Sequence, residues 1–229
     1  MAKYNELTYD VREGIKEYTD DSEVDDRYIM YLYGIKRAKY LRQDLNNAQK
    51  TNDNSIQQTF CIGLEEVSIN ECNIQYDCDT ILRTKKPIPI PIELHTKVAI
   101  NRVKPTKRIS IPFSFISKER ASYVGDSPYS KSIYAFIDTD NYIYLYSKNE
   151  AYKLIECLSV TGVFADPLSL SSYCDSCEGC DSECYDEEND EYPLQPHYID
   201  LIREEIVMEY LKKLNIPTDK TNDGEDTQA

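Results

Sequence analysis

Four cysteines stand close together as Cys174-x2-Cys177-x2-Cys180-x3-Cys184. Thiolates at this spacing can wrap a tetrahedral zinc ion. The spacing also matches one half of a bacterial ferredoxin run, where the fourth cysteine serves a second cluster and a proline follows it. Here Tyr185 follows Cys184, no second run exists, and Cys61, Cys72, Cys78 and Cys157 are scattered. Zinc, an iron–sulfur cluster and no metal at all stay open as readings. A metal here would be structural, stapling a loop that has no core of its own. The neighbouring Asp186-Glu-Glu-Asn-Asp-Glu191 lacks the ordered spacing of a calcium loop and reads as a solvated acidic flap. Met1–Asp10 is too polar for a secretory leader, so the eight cysteines read as reduced thiols in preference to a disulfide framework.

Other catalytic chemistry is sparse. The two histidines, His95 and His197, stand beside no serine or cysteine nucleophile motif. Seven glycines form no phosphate loop or dinucleotide fingerprint, and no His-Glu-x-x-His occurs. The expectation is a protein that is not an enzyme. A formal charge of −15 argues against general wrapping of nucleic acid. No apolar run approaches the length of a membrane span.

The charge is segregated. Arg83 to Arg108 holds eight Lys or Arg and one acid, Glu93, whereas Leu154 to Ile202 holds twelve acids and no Lys or Arg. Two readings follow: complementary surfaces that meet head to tail between copies, or two solvated patches of opposite sign. Tyrosine supplies most of the aromatic area, with 20 Tyr against 5 Phe and no Trp, which suits interfaces as well as cores.

The elements that must carry these residues follow from periodicity. Leu7, Val11, Ile15 and Tyr18 share a helical face, and Gly14 weakens that first helix. Ser22 with Asp25 resembles a capping box before a second helix from about Glu23 to Asn46. Its predicted apolar stripe is Tyr28, Tyr31, Leu32, Ile35, Ala38 and Leu45, with Lys36, Arg37, Lys39 and Arg42 placed towards the end that the helix dipole favours. Thr59–Ile69, Lys97–Val103, Arg108–Ile116 and Leu154–Val163 read as strands, and Ser117–Gly125 as a helical turn. Cys72–Asp79 reads as loop. Prolines 87, 89 and 91 alternate with Ile88, Ile90 and Ile92, so this stretch is an extended loop or a partner-binding arm, not a central strand. Ile133–Asp138 and Tyr142–Tyr146 form a hairpin through Thr139-Asp-Asn141. It is apolar on both faces, with a neighbouring subunit expected as one covering layer. The closing helix carries Ile199, Ile202, Ile206 and Tyr210 on one face and Tyr198, Leu201, Met208 and Leu211 on another, an arc wide enough for two layers.

The fold class is therefore α+β: an N-terminal helical hairpin and a C-terminal helix packed with a small antiparallel β region. The divisions are a hairpin over 1–48, a β-rich centre over 49–166, an acidic Cys-rich insertion over 167–196, a closing helix over 197–216 and a polar tail over 217–229.

That order of elements resembles the head–tail connector proteins, or tail adaptors, of short-tailed bacteriophages, in particular the virion ring proteins of crAss-like phages. The residues that carry it are the helical pair over Glu6–Asn46, Phe136-Ile-Asp-Thr-Asp-Asn-Tyr-Ile-Tyr-Leu-Tyr146, Val160-Thr-Gly-Val-Phe-Ala-Asp-Pro167 and the terminal helix. The Cys174–Cys184 insertion departs from the generic adaptor pattern. The resemblance implies a dodecameric ring docked below the portal protein, other connector and tail proteins as neighbours, and genomic DNA passing through the lumen without sequence-specific contact. It implies residence in the virion, with assembly in the host cytoplasm. The interface candidates are Ile199, Ile202, Ile206 and Tyr210, and Lys104, Lys107 and Arg108 would grip phosphates or an acidic neighbour. Cys174, Cys177, Cys180 and Cys184 are the metal candidates. Two other classes stay open: a zinc-stabilised intracellular interaction or regulatory module, and a small electron carrier.

Overall fold

Four helices and seven strands are found among the described residues of a computed structural model, which describes residues 2–18, 24–47, 54–68, 80–95, 97–107, 113–121, 123–124, 132–147, 149–173, 177, 185–186 and 189–213. The elements are α1 (Tyr4–Lys16), α2 (Asp26–Asn46), β1 (Gln58–Ser68), β2 (Thr80–Thr84), β3 (Ile100–Pro105), β4 (Phe113–Phe115), the single turn α3 (Lys118–Ala121), β5 (Ile133–Ile137), β6 (Ile143–Tyr146), β7 (Cys157–Gly162) and α4 (Pro196–Lys213). Short 3₁₀ turns at Glu150–Leu154 and Leu168–Tyr173 flank β7. The Cys72–Asp79 loop, the end of the chain from residue 214 and most of the cysteine run lie outside the described residues.

The sheet order is β3-β7-β1-β2-β6-β5-β4, antiparallel throughout except for the parallel pair β4–β5. Its two edge strands, β3 and β4, approach each other, so the sheet curls into a nearly closed barrel. The β part is thus larger than the small region expected from sequence. Alternation along the strands explains the closure. Phe60, Ile62 and Leu64 of β1 meet Leu158 and Val160 of β7, Val103 of β3 and Leu145 of β6 in one interior core.

The hairpin β5–β6 is buried on both faces, as its sequence requires, but the second layer comes from the chain itself. Phe136 and Tyr144 stack at 5.6 Å and pack with Val67, Ile81 and Ala121. Ala121 of α3 supplies cover there, and Val67 and Ile81 of β1 and β2 extend the same apolar face of the sheet. At the turn Asn141 adopts φ 61°, which Asn tolerates better than most residues. The Pro-Ile stretch is a covered extended loop. Its isoleucines supply what its prolines cannot: Ile88 N–H donates to Asn141 O at 2.8 Å and Ile92 N–H to Val163 O at 2.9 Å.

The helices form a separate layer with its own core of Leu7, Val11, Ile15, Ile29, Leu32, Tyr33, Ile202 and Ile206. Asp25 caps α2 by accepting from the Arg27 N–H at 2.9 Å. Gly14 has a packing role: a Cβ there would stand 3.2 Å from Val207 and 3.3 Å from Arg203, so its absence lets α1 and α4 close together. The stripe of α2 is rotated from the predicted one. Tyr31 is 62% and Ile35 50% exposed, whereas Ile29, Met30, Tyr33, Arg37 and Leu41 point inward. α4 packs against both other helices, so the unit is a three-helix layer and not an isolated hairpin. Tyr192 and Leu194, at the end of the acidic insertion, are buried in the same core.

Candidate functional site: outward faces and the cysteine flap

The closing helix presents a different face from the one predicted. Ile202, Ile206 and Tyr210 belong to the helical core, and Ile199 packs at its margin. Contact with another subunit through these residues would require α4 to leave its own core. Burying an isoleucine fully contributes roughly 2–3 kcal/mol, so that exchange is unfavourable. The outward face is Asp200, Leu201, Glu204 and Met208, with Leu201 46% and Met208 41% exposed. Ile199 also lines a shallow cleft with Ala2, Asn5, Glu6, Leu7, Tyr9 and Asp10 on α1 and the segment before it.

One carboxylate ties α4 to α2. Glu205 accepts from Lys36 at 3.2 Å, from Lys39 at 3.4 Å and from the Tyr40 hydroxyl. The Tyr40 hydrogen bond and the two ammonium groups hold its carboxyl below the usual range, against the opposing effect of burial. Lys36 also reaches Glu209 at 3.0 Å. Beside this surface network lies a buried cation that sequence reasoning placed at the helix end. Arg37 is fully buried; its Nε donates to Pro193 O at 2.7 Å and one terminal nitrogen to Phe164 O at 2.6 Å. Its guanidinium lies 5.8 Å from the Tyr192 ring centroid. It thereby pins α2 to the turn after β7 and to the segment entering α4. Burial pushes the Arg37 pKa down and raises that of Tyr192 to about 12.

The basic segment is real as a surface. Lys85, Lys86, Lys97, Arg102 and Lys104 are exposed, and none has an ion-pair partner among the described residues. Lys104 and Arg102 stand on edge strand β3. Lys107 is held by Glu156, and Arg108 lies outside the described residues. His95 contributes through its backbone, donating N–H to Asn46 Oδ1 at 3.0 Å. The His197 ring packs on Tyr198 at 4.0 Å.

Of the four clustered cysteines only Cys177 is described. It forms a disulfide with Cys157, the first residue of β7, with a Cα–Cα distance of 6.2 Å. Cys61 on β1 is disulfide-bonded as well. These pairings differ from the reduced thiols expected from sequence. The reason is tertiary: Cys177 lies against β7, which carries the distant Cys157. Among the described residues no three His, Cys, Asp or Glu side chains gather as a metal-holding group, and no helix is long and apolar enough to cross a membrane.

The chain is thus an α+β unit whose conspicuous polar groups, Arg37, Glu205 and Asp138, hold its own segments together. Residues 6–228 match the phage tail ring protein 2 family, and the chain belongs to that family of crAss-like phage ring proteins, structural components of the virion. It is 26% identical over 227 residues to "Ring protein 2" of Bacteroides phage crAss001, covering 97% of this chain and 96% of that protein.

Proposed function

We propose that the chain is the subunit of a head–tail connector ring, a dodecamer that joins the portal to the tail and encloses part of the DNA path. It acts by shape and contact, not by catalysis. The observation that carries this reading is the family match over residues 6–228, nearly the whole chain. Two features of the molecule support it. A closed ring repeats one heterologous contact, so each subunit must carry two different, complementary faces. The cations of β3 and the Pro-Ile loop, and the acids Asp200 and Glu204 of α4, offer such a pair. The net charge of −15 also suits a passage that DNA must leave freely, since phosphate contacts would hold it through counterion release.

Quantitative peptide mass spectrometry on purified particles, normalised to the portal protein, tests this. A copy number equal to that of the portal is expected. Absence from the particle overturns the structural role, and a copy number that is not a ring multiple of the portal overturns the connector position.

A further inference from the structure

Ile90 is the exposed isoleucine of the Pro-Ile loop. Ile88 and Ile92 are buried, and so are Pro89 and Pro91, whereas Ile90 is 60% exposed. A lone apolar side chain at a surface is ordinary. What sets this one apart is how firmly its backbone is held. Ile88 and Ile92 donate their N–H groups to Asn141 O and Val163 O, and Ile90 O accepts from the Ala165 N–H at 2.9 Å. The flanking prolines fix φ on both sides. The side chain is thus presented at a fixed point, and little ordering remains to oppose docking.

A receptive surface stands on the helical layer. The shallow cleft beside α1 and the start of α4 has a volume of about 620 Å³. Its lining is mainly apolar: buried Leu7, half-buried Ala2 and Ile199, and Tyr9, which is 63% exposed. No residue of the Pro-Ile loop lines it, so knob and cleft are both open within one chain.

The charges around the two features are opposite. On the loop Lys85, Lys86 and Lys97 are exposed, with Arg102 and Lys104 beyond them on β3. The acids there are Glu93 and Asp166, the latter accepting from the Leu168 N–H at 3.0 Å. At the cleft, Glu6 accepts the Lys3 N–H at 2.9 Å and pairs with no cation among the described residues. Asp200 and Glu204 continue the acidic side along α4 from Ile199. Between Ala2 and Asp10 and between Pro196 and Glu204 the cations are Lys3 and Arg203, and Arg203 is held by Asp10 at 3.1 Å.

We propose that Ile90 of one copy seats in the α1–α4 cleft of the next, with Lys85, Lys86 and Lys97 facing Glu6, Asp200 and Glu204. The inference rests on the ring reading and names the contact that builds the ring. A second copy is the occupant because the basic knob and the acidic, apolar socket both belong to this chain. A knob that meets a different surface on its neighbour repeats head to tail, as a ring requires.

The test places a photoreactive benzoylphenylalanine at position 9, an exposed aromatic position, in the full chain and in particles built from it. Irradiation should give a covalent dimer whose joined peptide carries Ile90. In solution, Ile90→Ala and Tyr9→Ala should each weaken self-association about tenfold. The double variant should be little weaker than either, since both remove one contact. Both side chains are more than half exposed, so the thermal melt of the monomer should not move. Particles that hold a ring multiple of the chain, yet give no such dimer or join position 9 to another segment or another virion protein, overturn the contact and leave the ring reading standing. Fully additive losses in the double variant also overturn it. Absence of the chain from particles overturns both.

Discussion

Arg37 shows how much one residue carries. Its two hydrogen bonds end on backbone carbonyls of two separate segments, Phe164 after β7 and Pro193 before α4. Replacing Arg37 with Met keeps the apolar stem but strands both carbonyls in the interior. Each loss costs about 1–3 kcal/mol. Arg37→Met should therefore lower the unfolding free energy by about 2–5 kcal/mol in a denaturant titration, and Arg37→Lys should recover little, since an ammonium cannot reproduce the guanidinium fork. A change below about 1 kcal/mol would refute the pinning role. None of this was legible in the sequence, because Arg37 and Arg42 fit the helix dipole equally well and only the tertiary path buries the first. Cys157 and Cys61 were hidden for a related reason. The Cys157–Cys177 disulfide is set by the tertiary path, which a local spacing rule cannot see.

At the scale of elements, the hairpin β5–β6 was readable because its signals are local: two continuous apolar runs either side of a three-residue polar turn. Its anchoring was not. Asp138, buried at the turn, accepts from the Thr139 N–H at 2.6 Å and pairs with Lys118 of α3. Burial raises its pKa, but the Lys118 and Thr139 bonds outweigh it and hold the carboxyl below its ordinary value. A carboxyl with a folded pKa below its unfolded value contributes stability that is complete above the unfolded value, near pH 4, and is lost as the pH falls through the folded one. Stability should thus decline below about pH 4, and Asp138→Asn should flatten that decline while costing roughly 1–2 kcal/mol at neutral pH. An unchanged acid limb in thermal melts of the variant would assign the loss to other carboxyls. The helices show the opposite balance. The periodicity of α1 gave Leu7, Val11 and Ile15 of its buried face, although Tyr18 lies past the helix end and is exposed, and the stripe predicted for α2 was rotated. Tyrosine serves there on both sides: Tyr33 is buried, while Tyr31 faces outward. A residue with an apolar body and a polar tip does not report its side of a helix.

For the whole molecule, the charge segregation visible in the sequence survives folding, but its elements are redistributed. Glu156 is spent on Lys107, and Glu205 and Glu209 on α2, so the free acids of α4 are Asp200 and Glu204. The free cations of the described sheet side are Lys85, Lys86, Lys97, Arg102 and Lys104. Ring contact through these faces makes a two-part prediction. Glu204→Lys and Lys104→Glu should each weaken self-association of the purified chain, and the two changes combined should recover part of it, since each altered charge again meets its opposite. Exposed pairs contribute only about 0.2–1 kcal/mol each, so the effect of one reversal is modest per contact but is repeated at every junction of a ring. Association of the unaltered chain should fall as salt rises through about 0.15 M, where the Debye length is about 8 Å. Mass photometry across a salt series reads both. Assembly that ignores salt and tolerates both reversals would move the junction to the exposed apolar residues of the helices, such as Tyr31, Ile35 and Met208, whose attraction salt does not screen.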